Sequence, residues 1–308
     1  MLVREAIIDP VNAWGGDDAL GWMTNEKVLQ LWAVDGATSV SERPDRVRTG
    51  LPDPAWFARH ISNGIVRSGR YGELTKDRLA RIIRPLEERW MVAVNADAKP
   101  YDPPVAALAY ASIGRKGNGW TIRTLLYADC FVLAIPLLDP RLTTPAGFGC
   151  RQPVRGSLPR SAEILSILRA RRAEQLSHGP KAGDALTLRP TSVADGREVV
   201  SYLPRRHPWV VLVGTDGFAR LWEEYALDTC EIIAARTVRY GLRALVRELR
   251  AWEKSNPSHG RNVKAADDAS VLVALLESTE PAAAVLPPKR SCDGAVHVVG
   301  PNSFGVLP

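Results

Sequence analysis

Leu29 to Ser39 reads LQLWAVDGATS, an apolar run that stops at Asp35-Gly36 and passes into small residues. A run of this length, bounded by a turn dipeptide, predicts a buried strand that delivers a carboxylate and a bare backbone carbonyl to the edge of a sheet. Trp209 to Thr215, WVVLVGT, repeats the arrangement, running into Asp216-Gly217 and then into the helical pattern FARLWEEYAL. Asp267 and Asp268 give its mirror image, because they immediately precede the apolar run ASVLVALL and, in a strand of opposite direction, reach the same edge. Any fold of this chain has to let buried strands from distant parts of the sequence end together, each bringing acid.

Asp-Gly alone is a common turn dipeptide, and Asp195-Gly196 and Asp293-Gly294, in polar surroundings, read as plain turns. The pairs at 35 and 216 differ in following buried-looking strands. Carboxylates packed at strand ends repel one another unless a cation lies between them, and an all-oxygen site favours Mg²⁺ or Mn²⁺ over zinc. On the residues alone, the best reading is a metal-dependent hydrolase with a carboxylate site.

Composition narrows the setting. With 308 residues, 45% of them hydrophobic and 24% charged, the chain reads as one globular domain over residues 1–278 and a Pro/Ala/Gly-rich tail over 279–308. The net charge of +6 favours acidic partners such as phosphorylated substrates and is too small to indicate nucleic acid. Cys130, Cys150, Cys230 and Cys292 lie far apart without CxxC spacing, so neither a zinc site nor a disulfide framework is expected, and a reducing cytoplasm fits. The N-terminus lacks the pattern of a signal peptide, and FVLAIPLL, the longest apolar stretch, is too short to span a bilayer, so no membrane partner is expected.

Periodicity predicts the remaining elements. Residues 1–40 read as strand, acidic loop, strand; Phe57, Ile61 and Ile65 mark one helix, and Leu79, Ile82, Leu86 and Trp90 a second that Pro85 should kink or interrupt. Strands follow at 105–113, 120–127 and 131–137, with Asp129 in the turn between the last two, read equally as a hairpin residue or a metal ligand. Residues 140–159 read as irregular, then 161–176 as a helix with Ile164, Ile167 and Leu168 inward and Arg169, Arg171 and Arg172 on a solvated face. After strands at 198–203 and 209–215, one long helix is expected from Asp228 to Glu253, capped by Asp228 and Glu231. Its apolar stripe is Leu242, Leu245, Leu249 and Trp252, and its basic stripe Arg236, Arg239, Arg243, Arg247 and Arg250, read as a solvated face. The tail should be poorly ordered unless VHVV docks as an edge strand.

Five segments in order resemble the metal-dependent protein phosphatases, the type 2C protein serine/threonine phosphatases, in their bacterial form. GGDDAL resembles the family's Asn-Glu-Asp-Ala element, WAVDGATS its strand ending in Asp-Gly, and LLYADCFVLAI its Val-Gly-Asp-Ser strand pair. VLVGTDGFARLW resembles the strand ending in Ser-Asp-Gly, and DDASVLVALL the Asp-Asn-x-Thr-Val-Val segment. The resemblance implies an α+β four-layer sandwich, in which two mainly antiparallel β-sheets pack face to face and helices flank them. It implies hydrolysis of phosphoserine and phosphothreonine in phosphorylated protein substrates through a metal-activated water, at a site holding two Mn²⁺ or Mg²⁺ ions and possibly a third. By motif position Asp35 would bridge the two ions, Gly36 would offer its backbone carbonyl to one, and Asp216 and Asp267 would bind the other. Asp17 would occupy the family's glutamate position near the first ion, with Asp18 and Asp129 close by for a third ion or for water positioning.

The departures from the pattern are specific. Ala13 stands where the family carries an arginine that grips the substrate phosphate, Ala37 where many eukaryotic members have a histidine, and Asp268 where asparagine is usual. These departures keep alive a rival reading, a phosphatase-fold regulator that binds a phosphorylated partner without turnover, and a third, hydrolysis of a small phosphorylated metabolite.

Overall fold

Side chains alternate between the two faces of each strand, and the central strands are buried on both faces, against the other sheet on one side and against helices on the other. A computed structural model describes residues 1–11, 16–25, 27–94, 98–137, 161–177, 185–256, 266–278 and 297–299. One sheet runs in the order β1 (Leu2–Asp9), β10 (Ala269–Leu276), β9 (Trp209–Gly214), β6 (Phe131–Pro136), β11 (His297–Val299). The other runs β2 (Asp18–Thr24), β3 (Val28–Gly36), β4 (Val105–Lys116), β5 (Gly119–Tyr127), β8 (Arg197–Pro204), with the short β7 (Leu186–Thr187) pairing on β4. Every pairing is antiparallel.

Three apolar layers hold the sheets and helices together. Leu29, Leu31 and Ala33 of β3 and Ala107, Ala109 and Ala111 of β4 pack between the sheets with Val132 and Ala134 of β6, Val211 and Val213 of β9, and Leu272 and Ala274 of β10. The opposite faces of the same strands point outward. Trp32, Val34, Leu108 and Tyr110 are covered by α1 (Asp53–Gly69) and α2 (Lys76–Ala93) through Trp56, Phe57, Ile61, Leu79 and Ile83. Beyond α3 (Ser161–Ser177), α4 (Asp216–Glu223), α5 (Cys230–Tyr240) and α6 (Leu242–Ser255) cover Val210, Leu212, Val271 and Val273 with Phe218, Ile233, Leu245 and Leu249. The result is the α/β/β/α sandwich expected above. No helix among the described residues is long and apolar enough to cross a membrane.

Several expectations are corrected. Residues 1–40 hold three strands rather than two: Asp17 lies between β1 and β2, as the acidic loop predicts, but Asp18 opens β2 and pairs directly with Asp35. In α2 it is Ile83, not Ile82, that is fully buried, completing a face with Leu79, Leu86 and Trp90. Pro85 does not interrupt α2, which runs from Lys76 to Ala93 through it; Pro85 and Arg81, whose carbonyl loses its helical partner, are both exposed. Asp129 lies in no hairpin. β5 pairs with β8 and β6 with β9, so the chain crosses there from one sheet to the other, through Ala128 at φ 54°.

In α3, Ile164 and Leu168 are half-buried but Ile167 is exposed, and Arg169 is tied down, its Nε donating to the Val40 carbonyl at 2.9 Å. The long helix expected from Asp228 is two helices, broken at Gly241 with φ 80°. Thr229, rather than Asp228 or Glu231, caps α5 by accepting from the Ile232 N–H. The basic stripe is likewise divided: Arg236 bridges Asp228 and Glu248, and Arg250 pairs with Asp9 and Glu253, leaving Arg239, Arg243 and Arg247 exposed. Residues 297–299 of VHVV do pair with the edge of β6. Ala13, the 140–159 segment, Cys150, Cys292 and most of the tail lie outside the described residues.

Candidate metal centre

The alternation that fills the space between the sheets also aims the acids. Leu29, Leu31 and Ala33 face the inter-sheet core, and the next residue on that face of β3 is Asp35. The register sets Asp18 of β2 on one side of Asp35 and Ala107 of β4 on the other, so a carboxylate and a small side chain flank it on the same face. On the facing sheet, Val211 and Val213 of β9 are followed on the inward face by Thr215, and Leu272 of β10 is preceded by Ser270 and Asp268. Thr215 Oγ1 donates to Asp18 Oδ2 at 3.0 Å and so joins the two sheets at this end of the sandwich. Asp216 follows at once as the first residue of α4.

The electrostatics register this convergence. Burial, with Asp268 and Asp216 nearby, pushes the Asp18 carboxyl up to about 8 against the opposing hydroxyls of Ser270 and Thr215. Asp35 is held well above the usual carboxylate range by burial and then by Asp18, Asp216, Asp129 and Asp267. Asp216 is pushed up to about 6 by burial and by Asp129 and Asp267, with Arg220 opposing and the Asp35 carboxyl within hydrogen-bonding reach. Asp129 keeps an exposed edge at the rim, yet its carboxyl is also raised, by desolvation and by Asp267 and Glu223. Five of the acids singled out in the sequence thus act on one another across the sandwich: Asp18, Asp35, Asp129, Asp216 and Asp267.

The backbone around Asp35 is equally tight. Gly36 N–H donates to the Asp17 carbonyl at 3.1 Å, and a side chain at Gly36 would sit 2.7 Å from the Pro54 carbonyl oxygen and 2.8 Å from that of Asp17. Glycine is therefore required for the chain to pass beside the cluster.

Asp17 is placed differently from Asp18. It contributes backbone to the site, accepting from Gly36 and donating its N–H to Asp268 Oδ2 at 2.7 Å, while Asp18 is the residue that faces Asp35. Asp268, where the motif resemblance expects asparagine, accepts a backbone N–H on each oxygen, from Val11 and from Asp17, both at 2.7 Å. An asparagine NH₂ could not accept the second. Asp267 pairs with Arg220, Nη2 lying 3.1 Å from Oδ2. Sequence reading passed over Thr215, Arg220 and Ala107; only Arg220 left a signal, standing four residues after Asp216 in a helical pattern.

Two chemical fits follow. Oxygen-only donors whose protons are held by burial and mutual repulsion suit a hard divalent cation, which removes the repulsion that otherwise keeps them protonated. They do not suit thiol chemistry: Cys130 lies on the same inter-sheet face, but burial, with Asp35 and Asp129 nearby, pushes its thiol well up, so it stays protonated. Among the described residues, no three His, Cys, Asp or Glu side chains are drawn together as a finished metal cage.

No model of a known protein family matches the chain, and no curated protein does. Among solved structures, the chain is similar to a variant of a bacterial serine phosphatase, with a TM-score of 0.49 and 11% identity over 90% of this chain and 98% of that one. It is also similar to the serine/threonine phosphatase Stp1 from Staphylococcus aureus, with a TM-score of 0.47 and 11% identity over 90% of this chain and 96% of that one. The catalytic domain of the serine/threonine protein phosphatase PstP, in complex with 2 manganese ions, gives a TM-score of 0.40 and 10% identity over 87% of this chain and 95% of that one.

Proposed function

We propose that the chain is a divalent-cation-dependent phosphomonoester hydrolase that removes phosphate from phosphoserine and phosphothreonine of proteins. The observation that carries this reading is the meeting of Asp18 and Asp35, on neighbouring strands of one sheet, with Asp216 at the start of α4, which follows β9 of the other sheet, at one end of the sandwich. The order of the five sequence segments supports it independently. Asp35 and Asp216 would hold the cation, with the Gly36 carbonyl beside them, and Asp18 would be kept in orientation by the Thr215 hydroxyl. Mn²⁺ or Mg²⁺ bound there supplies an acidified water and positive charge that offsets the phosphoryl oxygens. No nucleophilic side chain is needed, in keeping with the protonated state of Cys130. The net charge of +6 favours phosphorylated partners.

The test is hydrolysis of p-nitrophenyl phosphate and of a phosphothreonine peptide with Mn²⁺, Mg²⁺ or chelator, beside Asp35→Asn. The expected result is cation-dependent turnover that falls to background in the variant, with the peptide preferred over small phosphorylated metabolites. Folded protein that binds the cation but turns over neither substrate would instead establish the second reading, a regulator that binds phosphorylated partners. That reading draws support from Ala13 in place of a phosphate-gripping arginine and from the engagement of Asp267 by Arg220.

A further inference from the structure

Arg220 lies one helical turn after Asp216 on α4, so its side chain returns to the same end of the sandwich. It is buried, with 4% of its surface exposed. In front, Nη2 lies 3.1 Å from Asp267 Oδ2. Behind, Nε lies 3.5 Å from Glu224 Oε2, and Nη1 lies 3.4 Å from the Tyr225 hydroxyl and 3.9 Å from Glu253 Oε1. Tyr225 donates to Glu253 Oε1 at 3.1 Å, and Arg250 holds Glu253 Oε2 at 2.8 Å while its Nε reaches Asp9 Oδ2 at 2.6 Å. The guanidinium is thus fixed from behind by a network that runs through α6 to β1. It cannot lose its charge at any working pH. The other oxygen of Asp267, Oδ1, accepts the Asp268 N–H at 3.1 Å.

We propose that Arg220 stands in for the second divalent cation: the cluster binds one Mn²⁺ or Mg²⁺ at Asp35 and Asp216, and the guanidinium supplies the fixed positive charge at Asp267. The proposal rests on the cation reading above and concerns its stoichiometry. A second cation at Asp267 would either lie against a like charge or displace the arginine, leaving a buried guanidinium without its carboxylate. Asp18, Asp35 and Asp216, by contrast, form no ion pair with a basic side chain among the described residues, so their charge is open to a cation.

The test is calorimetric titration of the chelator-stripped full chain with Mn²⁺, followed by low-temperature electron paramagnetic resonance. The wild type is expected to take up one ion per chain with an uncoupled hyperfine pattern. Arg220→Met is expected to admit a second ion and acquire exchange-coupled features. Two ions with a coupled spectrum in the wild type would overturn the proposal, and no bound ion would overturn the cation reading with it. If Arg220→Met fails to fold, Asp267→Asn decides: one ion should still bind, whereas a loss of binding, or a weakening beyond the ~10–100-fold expected when a supporting partner is removed, would put Asp267 among the ligands. One bound ion without turnover would strike the hydrolase reading and leave this stoichiometry standing.

Discussion

At the scale of the residue, Asp268 separates support from chemistry. Its two oxygens fix the amides of Val11 and Asp17, the segment that leads into Asp18, and so hold the entry to β2 against the entry to β10. Hydrogen bonds to a charged acceptor contribute about 1.5–3 kcal/mol each, so Asp268→Ala should cost about 3–6 kcal/mol and Asp268→Asn, which keeps one acceptor oxygen, about half as much. Urea denaturation of the three proteins measures this; equal stability of wild type and Asp268→Asn would show that the second acceptor contributes nothing. Asp35, next to Gly36 at the end of β3, has the opposite character. It forms no ion pair with a basic side chain among the described residues, and its environment penalises the charged form, as expected of a group kept for a ligand rather than for stability.

At the scale of the element, the strand ends were legible in the sequence because each strand is a continuous apolar run, buried on both faces, that stops at Asp-Gly. The helical break at Gly241 was not, because the apolar stripe that marked the helix, Leu242, Leu245, Leu249 and Trp252, lies wholly after it and a lone glycine is tolerated within a helical pattern. The break comes from backbone conformation: Gly241 takes φ 80° and ψ 161°, and Leu242 N–H turns to Glu5 Oε2 at 2.7 Å. A side chain at Gly241 would meet Glu5 Oε2 at 2.9 Å in a conformation that L-residues rarely adopt. Gly241→Ala should therefore lose about 1–3 kcal/mol, read as a lower thermal midpoint, without altering cation affinity. A midpoint equal to wild type would mean that the two helices can merge. The crossing at Ala128 was hidden for a similar reason, since a short link between two apolar strands reads as a hairpin until each strand's partner is known.

At the scale of the whole molecule, the candidate site belongs to neither sheet alone. Sequence pattern placed Asp35 and Asp216 at strand ends, and motif resemblance gathered the acids into one list. Which of Asp17 and Asp18 faces Asp35 depends on the β2–β3 register, and the engagement of Asp267 depends on a helix packed from outside, so neither could be read from the chain. The convergence has a consequence for stability. The folded Asp18 and Asp216 carboxyls, at about 8 and about 6, lie above their unfolded values. The stability linked to them is full below about pH 4 and is lost as pH rises through those folded values. In chelator, this contribution should lower the melting temperature between pH 5 and pH 8, and Mn²⁺ should restore it, with a gap between the two conditions that widens toward pH 8. A gap independent of pH would dissociate these carboxyls from cation binding.

Whether Asp18, Asp35 and Asp216 meet to hold a divalent cation is decided by anomalous diffraction at the manganese edge from crystals grown with Mn²⁺. The expected result is a peak in coordinating contact with the Asp35 carboxylate, between Asp18 and Asp216 at the end of the sandwich. Well-ordered crystals with manganese bound elsewhere and no peak at Asp35 would contradict it.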